Sequence, residues 1–146
     1  MADITLISGS TLGRAEYVAE HLADKLEDAG FTTEILHGPE CAELPRLGTW
    51  LVVTSTHGAG ELPDNLLPLY EEISEQQPDL SAVTFGAVGI GNREYDLFCG
   101  ALDKMEALLT TAGARRIGDH LKIDVLQHEI PEDPAGEWVE TWKTAI

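Results

Sequence analysis

Positive charge is what this chain has least of. Nine lysines and arginines stand against 26 aspartates and glutamates, a formal net charge of −17. That surplus repels nucleic-acid phosphates and anionic membrane surfaces and favours basic protein partners. It counts against DNA or RNA binding. Cysteine is nearly as scarce: only Cys41 and Cys99 occur, with no CxxC and no histidine nearby at metal-ligand spacing. No disulfide framework is implied, and a reduced cytosolic setting fits. No stretch approaches the ~18 consecutive apolar residues of a membrane span. The opening MADITLIS has neither the basic start nor the apolar run of a signal peptide. A soluble, acidic, cytoplasmic protein with no membrane partner is expected.

Several phosphate-handling motifs are missing too. There is no GxxxxGK[ST] loop and no GxGxxG after the first apolar run, and GIG at 89–91 lacks the rest of a dinucleotide fingerprint. A receiver domain needs acidic residues where this chain has Ser8 and Ser55-Thr56, and neither cysteine opens a C-x5-R phosphatase loop. His21, His37, His120 and His128 share no ligand spacing, so no metal is assigned. Cys99 has no paired base and reads as a small buried helical residue. The three tryptophans read as core or sheet-edge packing.

What is present is an alternation. The 146 residues, 43% of them apolar, suffice for one core and one domain, residues 1–146. Strands are predicted at ITLI (4–7), TTEILH (32–37), TWLVVT (49–54), VTFGAVGI (83–90) and LKIDVL (121–126). Between them Ala15, Val18, Ala19, Leu22 and Leu26 recur at helical spacing, as do Leu66, Leu69, Tyr70 and Ile73, then Leu97, Ala101, Leu102, Met105 and Leu108. A last helix is expected to open at Asp133-Pro134, an N-cap followed by a first-turn proline, and to bury Trp138 and Trp142. The first, third and fourth strands read as near-continuous apolar runs, the mark of strands covered on both faces. Five strands alternating with helices imply an α/β fold with a doubly wound parallel sheet.

In such folds ligands sit beyond the carboxyl ends of the strands. The loops there read SGSTLGR (8–14), STHGAGELPDN (55–65) and GNREYD (91–96). In the first, Ser10 or Thr11 can cap the helix, but Gly13 and Arg14 replace the Glu or Gln that would close a capping box. Backbone amides remain for an outside acceptor, the arrangement that holds a phosphate at a helix N-terminus. Arg14 in a first helical turn is unfavourable by ~0.3–1 kcal/mol, and a bound dianion would reverse that. The local motif leaves a second reading open: a hydroxyl-capped helix whose arginine extends into water.

Together the three loops resemble those of the flavodoxin family. ISGSTLGRAEYVAE is similar to its phosphate loop, STHGAGELPDN to its second cofactor loop, and GIGNREYDLFCGALDKMEALLTTAGA to its third loop and following helix. The match covers essentially the whole chain, and the fifth strand shows no long insertion, as in short-chain members. The resemblance implies sheet order 2-1-3-4-5, FMN as cofactor and electron transfer. It implies a phosphate site at Ser10, Thr11, Leu12, Gly13, Arg14 and Ala15. Leu12, Arg14 and Ala15 stand where the family often has Thr, Asn and Thr, so at least two hydroxyl donors are missing and weaker FMN binding is implied.

Ser55 and Thr56 match the start of the second loop. His57 stands where an aromatic often flanks the ring, and its readings are stacking, donating to the flavin or simple exposure. Gly58 is the expected flipping peptide, whose carbonyl turns towards flavin N5–H. Gly91 and Asn92 match the loop framing the pyrimidine edge, Tyr95 the tyrosine stacked on the outer ring face, and Phe98 completes the set.

The implied partners are a basic NAD(P)H-dependent flavodoxin reductase and an acceptor metalloenzyme such as biotin synthase, with the chain a monomer or weak homodimer. One negative charge ~8 Å from the ring, at an effective dielectric of ~20, opposes an added electron by roughly 2 kcal/mol. For one electron that is about 90 mV. Glu61, Asp64, Glu94 and Asp96 are candidates for this role. Two other readings stay open: a flavin-free interaction or regulatory module, and a flavin-dependent quinone reductase.

Overall fold

Alternating burial along the strands sorts the core into two layers. The computed structural model describes residues 3–9, 14–56, 62–91, 99–125, 127 and 130–146, with Arg14 described by its backbone. The elements are β1 (Ile4–Gly9), α1 (Arg14–Asp28), β2 (Thr33–His37), β3 (Gly48–Ser55), α2 (Leu67–Gln76), β4 (Val83–Gly91), α3 (Gly100–Thr111), β5 (Arg115–Arg116), β6 (Leu121–Asp124) and α4 (Glu132–Trp142). Every residue of β1 is buried. Ile4 and Leu6 of β1, with Leu51 and Val53 of β3, join the layer under α1 and α4. Ile7, Trp50 and Val52 join the layer under α2 and α3. A strand sandwiched this way needs apolar residues at successive positions, which is why the runs were legible.

The sheet is parallel, in the order β2-β1-β3-β4-β5, with β6 also on β4. This is the doubly wound order expected from the sequence. The helical stripes behave as read: Ala15, Val18, Ala19, Leu22 and Leu26 of α1 are all buried. Leu66 is buried but forms the N-cap of α2 rather than part of the helix. In α3 Leu109 takes the deep position and Leu108 is only partly buried; Leu97 lies outside the described residues.

The fifth strand departs from expectation. Instead of one run at 121–126, β5 pairs with Thr84 and Phe85, and β6 pairs with Val88 to Gly91. The interruption at 117–120 is stabilised from α4. The Trp142 indole N–H donates to the Ile117 carbonyl at 2.9 Å, and the Trp138 indole N–H to the Asp119 carbonyl at 2.9 Å. The two indoles, one turn apart, stack with centroids 5.3 Å apart. They supply the carbonyls of the break with donors that a continuous ladder would otherwise provide. Trp142 is buried as expected; Trp138 is half-buried.

The last helix also starts earlier than read, at Glu132 with Pro131 as N-cap, so Asp133 does not cap it. The Asp133 N–H donates to the Ile130 carbonyl and the Ala135 N–H to that of Pro131, so the chain is already turning before Pro134.

A Cβ at Gly86 would lie 2.5 Å from Cζ2 of Trp142, a rigid and buried ring. Gly86→Ala is expected to destabilise the fold by about 1–3 kcal/mol. The check is a lowered urea midpoint at unchanged m; an unchanged midpoint would mean the indole is not fixed there.

Candidate functional site

The three strands that precede the polar segments are adjacent, and their ends lie level at one edge of the sheet. Gly9, the end of β1, is paired with Thr54 of β3, and Ser55, the end of β3, with Ile90 of β4. From β1 the chain crosses to β2 on one side, while β3 lies on the other. The winding therefore reverses between β1 and β3, where open α/β sheets bind ligands.

The strands reach further into the loop segments than the apolar runs indicated. Ser8 and Gly9 belong to β1, Ser55 to β3 and Gly91 to β4. Pairing on both flanks carries the ladder past the last bulky residue. The Thr56 N–H donates to the Ile90 carbonyl and the Val125 N–H to the Gly91 carbonyl, both at 2.9 Å.

Of the residues singled out from the sequence for the cofactor, Ala15, Ser55, Thr56 and Gly91 are described; of the four acids, Asp64 is described and exposed, while Glu61, Glu94 and Asp96 lie outside the described residues. Ser10, Thr11, Leu12, Gly13, the Arg14 side chain, His57, Gly58, Asn92, Tyr95 and Phe98 lie outside the described residues. Ala15 is fully buried in the layer beneath α1, so its backbone amide is what it can offer a ligand. The amides of Arg14, Ala15 and Glu16 occupy the first helical turn, where no earlier helical carbonyl is available. Ser55 and Thr56 are half-buried, and Thr56 Oγ1 accepts the Ala101 N–H at 3.3 Å. That hydroxyl thus satisfies a first-turn amide of α3 and ties the end of β3 to the helix of the third loop.

The feet of the loops are clamped by contacts the sequence did not show. A Cβ at Gly9 would fall 2.6 Å from Leu66 Cβ, so the segment before α2 closes directly on β1. Gly38, at φ +55, has the Asn65 carbonyl at 2.5 Å from where its Cβ would be. The Asn65 side-chain amide donates to Glu16 Oε1 at 3.3 Å, joining that segment to the first turn of α1.

Two polar features at this edge were missed. Asp124 is 5% exposed at the end of β6, opposite Gly91; an aspartate inside LKIDVL was the available signal. Ser8 is fully buried with its hydroxyl on the His37 ring, and no local pattern announces a pair 29 residues apart.

Cys99, the N-cap of α3, adopts a left-handed φ of +54 and is fully buried. Burial pushes its thiol up to about 12, opposed by Lys122 and reinforced by Asp103. It is buried as read, but it precedes the helix rather than forming part of it, and Cys41 is buried as well.

This architecture has known counterparts. The family model described as Flavodoxin matches residues 6–138. The chain belongs to the flavodoxin family. It is 69% identical over 142 residues to Protein MioC of Escherichia coli (strain K12), covering 97% of each chain. Among solved structures, a cysteine-to-serine mutant of flavodoxin from Pseudomonas aeruginosa superposes with a TM-score of 0.86 at 36% identity, again over 97% of each chain. Fusobacterium nucleatum flavodoxin bound to flavin mononucleotide shares the fold at 15% identity, with a TM-score of 0.82 over 99% of this chain and 98% of that one. This flavodoxin thus has the scaffold that the family resemblance implied. No helix among its described residues is long and apolar enough to cross a membrane.

Two outcomes follow for the scaffold of the site. Thr56→Val should destabilise by about 1 kcal/mol through the lost acceptor for the Ala101 amide, while Thr56→Ser should restore most of it in urea unfolding; equal stability of all three would remove the cap. The raised Cys99 thiol stabilises the folded protein fully below the ordinary thiol range. That contribution is lost as pH rises from about 8.5 towards 12. Native protein at about pH 8 should therefore resist iodoacetamide at Cys99, and Cys99→Ala should lose less stability than native protein between about pH 8.5 and 10.

Proposed function

We propose that this flavodoxin binds flavin mononucleotide across the ends of β1, β3 and β4. It carries single electrons from a basic NAD(P)H-dependent reductase to an acceptor metalloenzyme, for which biotin synthase is the specific candidate, in the cytoplasm. The observation that carries the reading is the reversal of winding between β1 and β3, with the ends of β1, β3 and β4, which precede the three polar segments, level at one edge.

The residues suit the cofactor. The first loop has three hydroxyls, two glycines and an arginine and no carboxylate from Ser8 to Ala15. Together with the first-turn amides of α1, that donor set fits a phosphate ester. Ser10, Thr11, Gly13 and Arg14 would hold the phosphate, and Tyr95 would cover the ring face in an offset stack. Ser55, Thr56, Gly91 and Asn92 would frame the polar edge. When bound, the isoalloxazine ring accepts and releases electrons singly. The chain's own part is to orient it, exclude water from one face and surround it with carboxylates that disfavour added negative charge. The acidic surface suits docking on a basic partner at high on-rate.

Leu12 and Ala15 in place of hydroxyl donors favour a second reading, a flavin-free interaction module on the same fold. Titration of the apoprotein with FMN followed by stepwise reduction separates the two. Saturable binding and two separate one-electron potentials are expected. Absence of binding at micromolar FMN would support the flavin-free module, and two-electron turnover of quinone without separate potentials a quinone reductase. Arg14→Glu should weaken FMN at least tenfold, a change of ~1.4 kcal/mol, and riboflavin much less; equal losses would place Arg14 away from the phosphate. Tyr95→Ala should weaken both flavins, and unchanged affinities would remove it from the ring.

A further inference from the structure

One polar pair at the ends of the strands has no part in the reading above. Ser8 is fully buried, and its hydroxyl is hydrogen-bonded to Nδ1 of His37, the last residue of β2. The two are register partners on parallel strands. They share the sheet face of Leu6 and Ile35, the face covered by α1. The Gly38 N–H donates to the Ser8 carbonyl at 3.0 Å, which fixes the backbone at both ends of the contact. His37 is itself exposed. Its imidazole therefore joins solvent to a buried hydroxyl two residues before Ser10.

A serine hydroxyl has a single proton to donate. With Nδ1 of His37 unprotonated, Ser8 Oγ–H donates to the ring. With the ring protonated, Nδ1–H donates to Ser8 Oγ, and the hydroxyl proton is released for another acceptor. The same step places a full positive charge at the end of β2. Both changes favour an anion held where β1 hands over to α1, and neither affects an uncharged ligand comparably.

We infer that Ser8 and His37 form a positioning pair for the cofactor's phosphate, so that preference for FMN over riboflavin grows as His37 gains a proton. The inference rests on the FMN reading given above. Charged groups on the surrounding elements are Glu40 after β2, Asp64 before α2, Glu16 held by Asn65, and Glu20 one turn further along the same flank of α1. The Arg14 side chain and Glu61 lie outside the described residues. All of these are common to the native protein and His37→Gln, so they cancel to first order when the FMN preferences of the two proteins are compared.

The test measures dissociation constants of FMN and riboflavin for the native protein and His37→Gln between about pH 6 and 8.5, the window in which histidine ordinarily changes charge. The phosphate's own second ionisation near ~6 affects both proteins alike. Near the acid end, the preference of the native protein for FMN should exceed that of His37→Gln by about five- to tenfold. The difference should vanish towards the alkaline end, and Ser8→Ala should reduce it. By linkage, calorimetry of the native protein in two buffers near pH 7 should show net proton uptake with FMN and none with riboflavin. The calorimetry needs no variant, so a misfolded substitution does not leave the point open. Equal preferences in native and variant at every pH, or equal proton counts for the two ligands once the phosphate's own proton release is subtracted, would overturn the pair's role while leaving FMN binding intact. Failure of folded native protein to bind FMN would sink the cofactor reading and this inference together.

Discussion

The pairing of β1 with β3 is the constraint on which the rest of the molecule depends. Its register runs from Ile4–Thr49 to Gly9–Thr54. Because both strands are covered on both faces, alternate side chains must enter opposite core layers. A slip of one residue would send Leu6 and Ile7 each to the wrong layer. The same register brings the ends of the two strands level. Core sorting and site geometry are thus one requirement: the apolar pattern that makes the sheet stable also sets the ends of β1 and β3 side by side, on either side of the point where the winding reverses.

Around that pair, small contacts fix the loop feet at modest energetic gain. Leu66 closes on Gly9, Asn65 on Gly38 and Glu16, and Thr56 on the first turn of α3. At the far edge the stacked tryptophans of α4 do similar work on the interrupted strand, donating to two carbonyls there. Among the described residues no buried side-chain nitrogen or oxygen lacks a hydrogen-bond partner. That matters more than the small net gain of each bond, because an unmet buried polar group costs ~1–3 kcal/mol.

What could be read from the sequence was what is local. ITLI, TWLVVT and VTFGAVGI identify themselves because strands buried on both faces need unbroken apolar runs, and α1 shows its stripe at 3.6-residue spacing. The polar stretches that follow three of those runs marked the functional edge. What escaped was non-local. Arg115–Arg116 is an exposed strand of two residues with no apolar signal, made a strand only by β4. The break after it is bonded to indoles roughly 20 residues downstream. Asp133 looked like a cap because Pro134 follows it, yet Pro131 and Ile130 already begin the turn. Ser8 and His37 meet only through the register of two strands, and Leu66 reaches Gly9 only because α2 returns over β1.

Under the proposed function an acidic chain has to hold a dianion, an electrostatic contradiction that distance resolves. At physiological salt, surface charges are screened beyond ~8 Å, so most of the net charge of −17 is not felt inside the first loop. Backbone amides and hydroxyls act at hydrogen-bond distance, where screening is slight, and they need no net charge to do so. The few cations can then be used locally. Lys25, Arg116, Lys122 and Lys143 are each bonded to carboxylates on α3 or α4. Arg14 opens α1, where the helix dipole disfavours a cation by ~0.3–1 kcal/mol. In a chain with nine cations, that placement has a physical rationale under the proposed function: a bound phosphate would offset the excess positive potential of an arginine at a helix terminus.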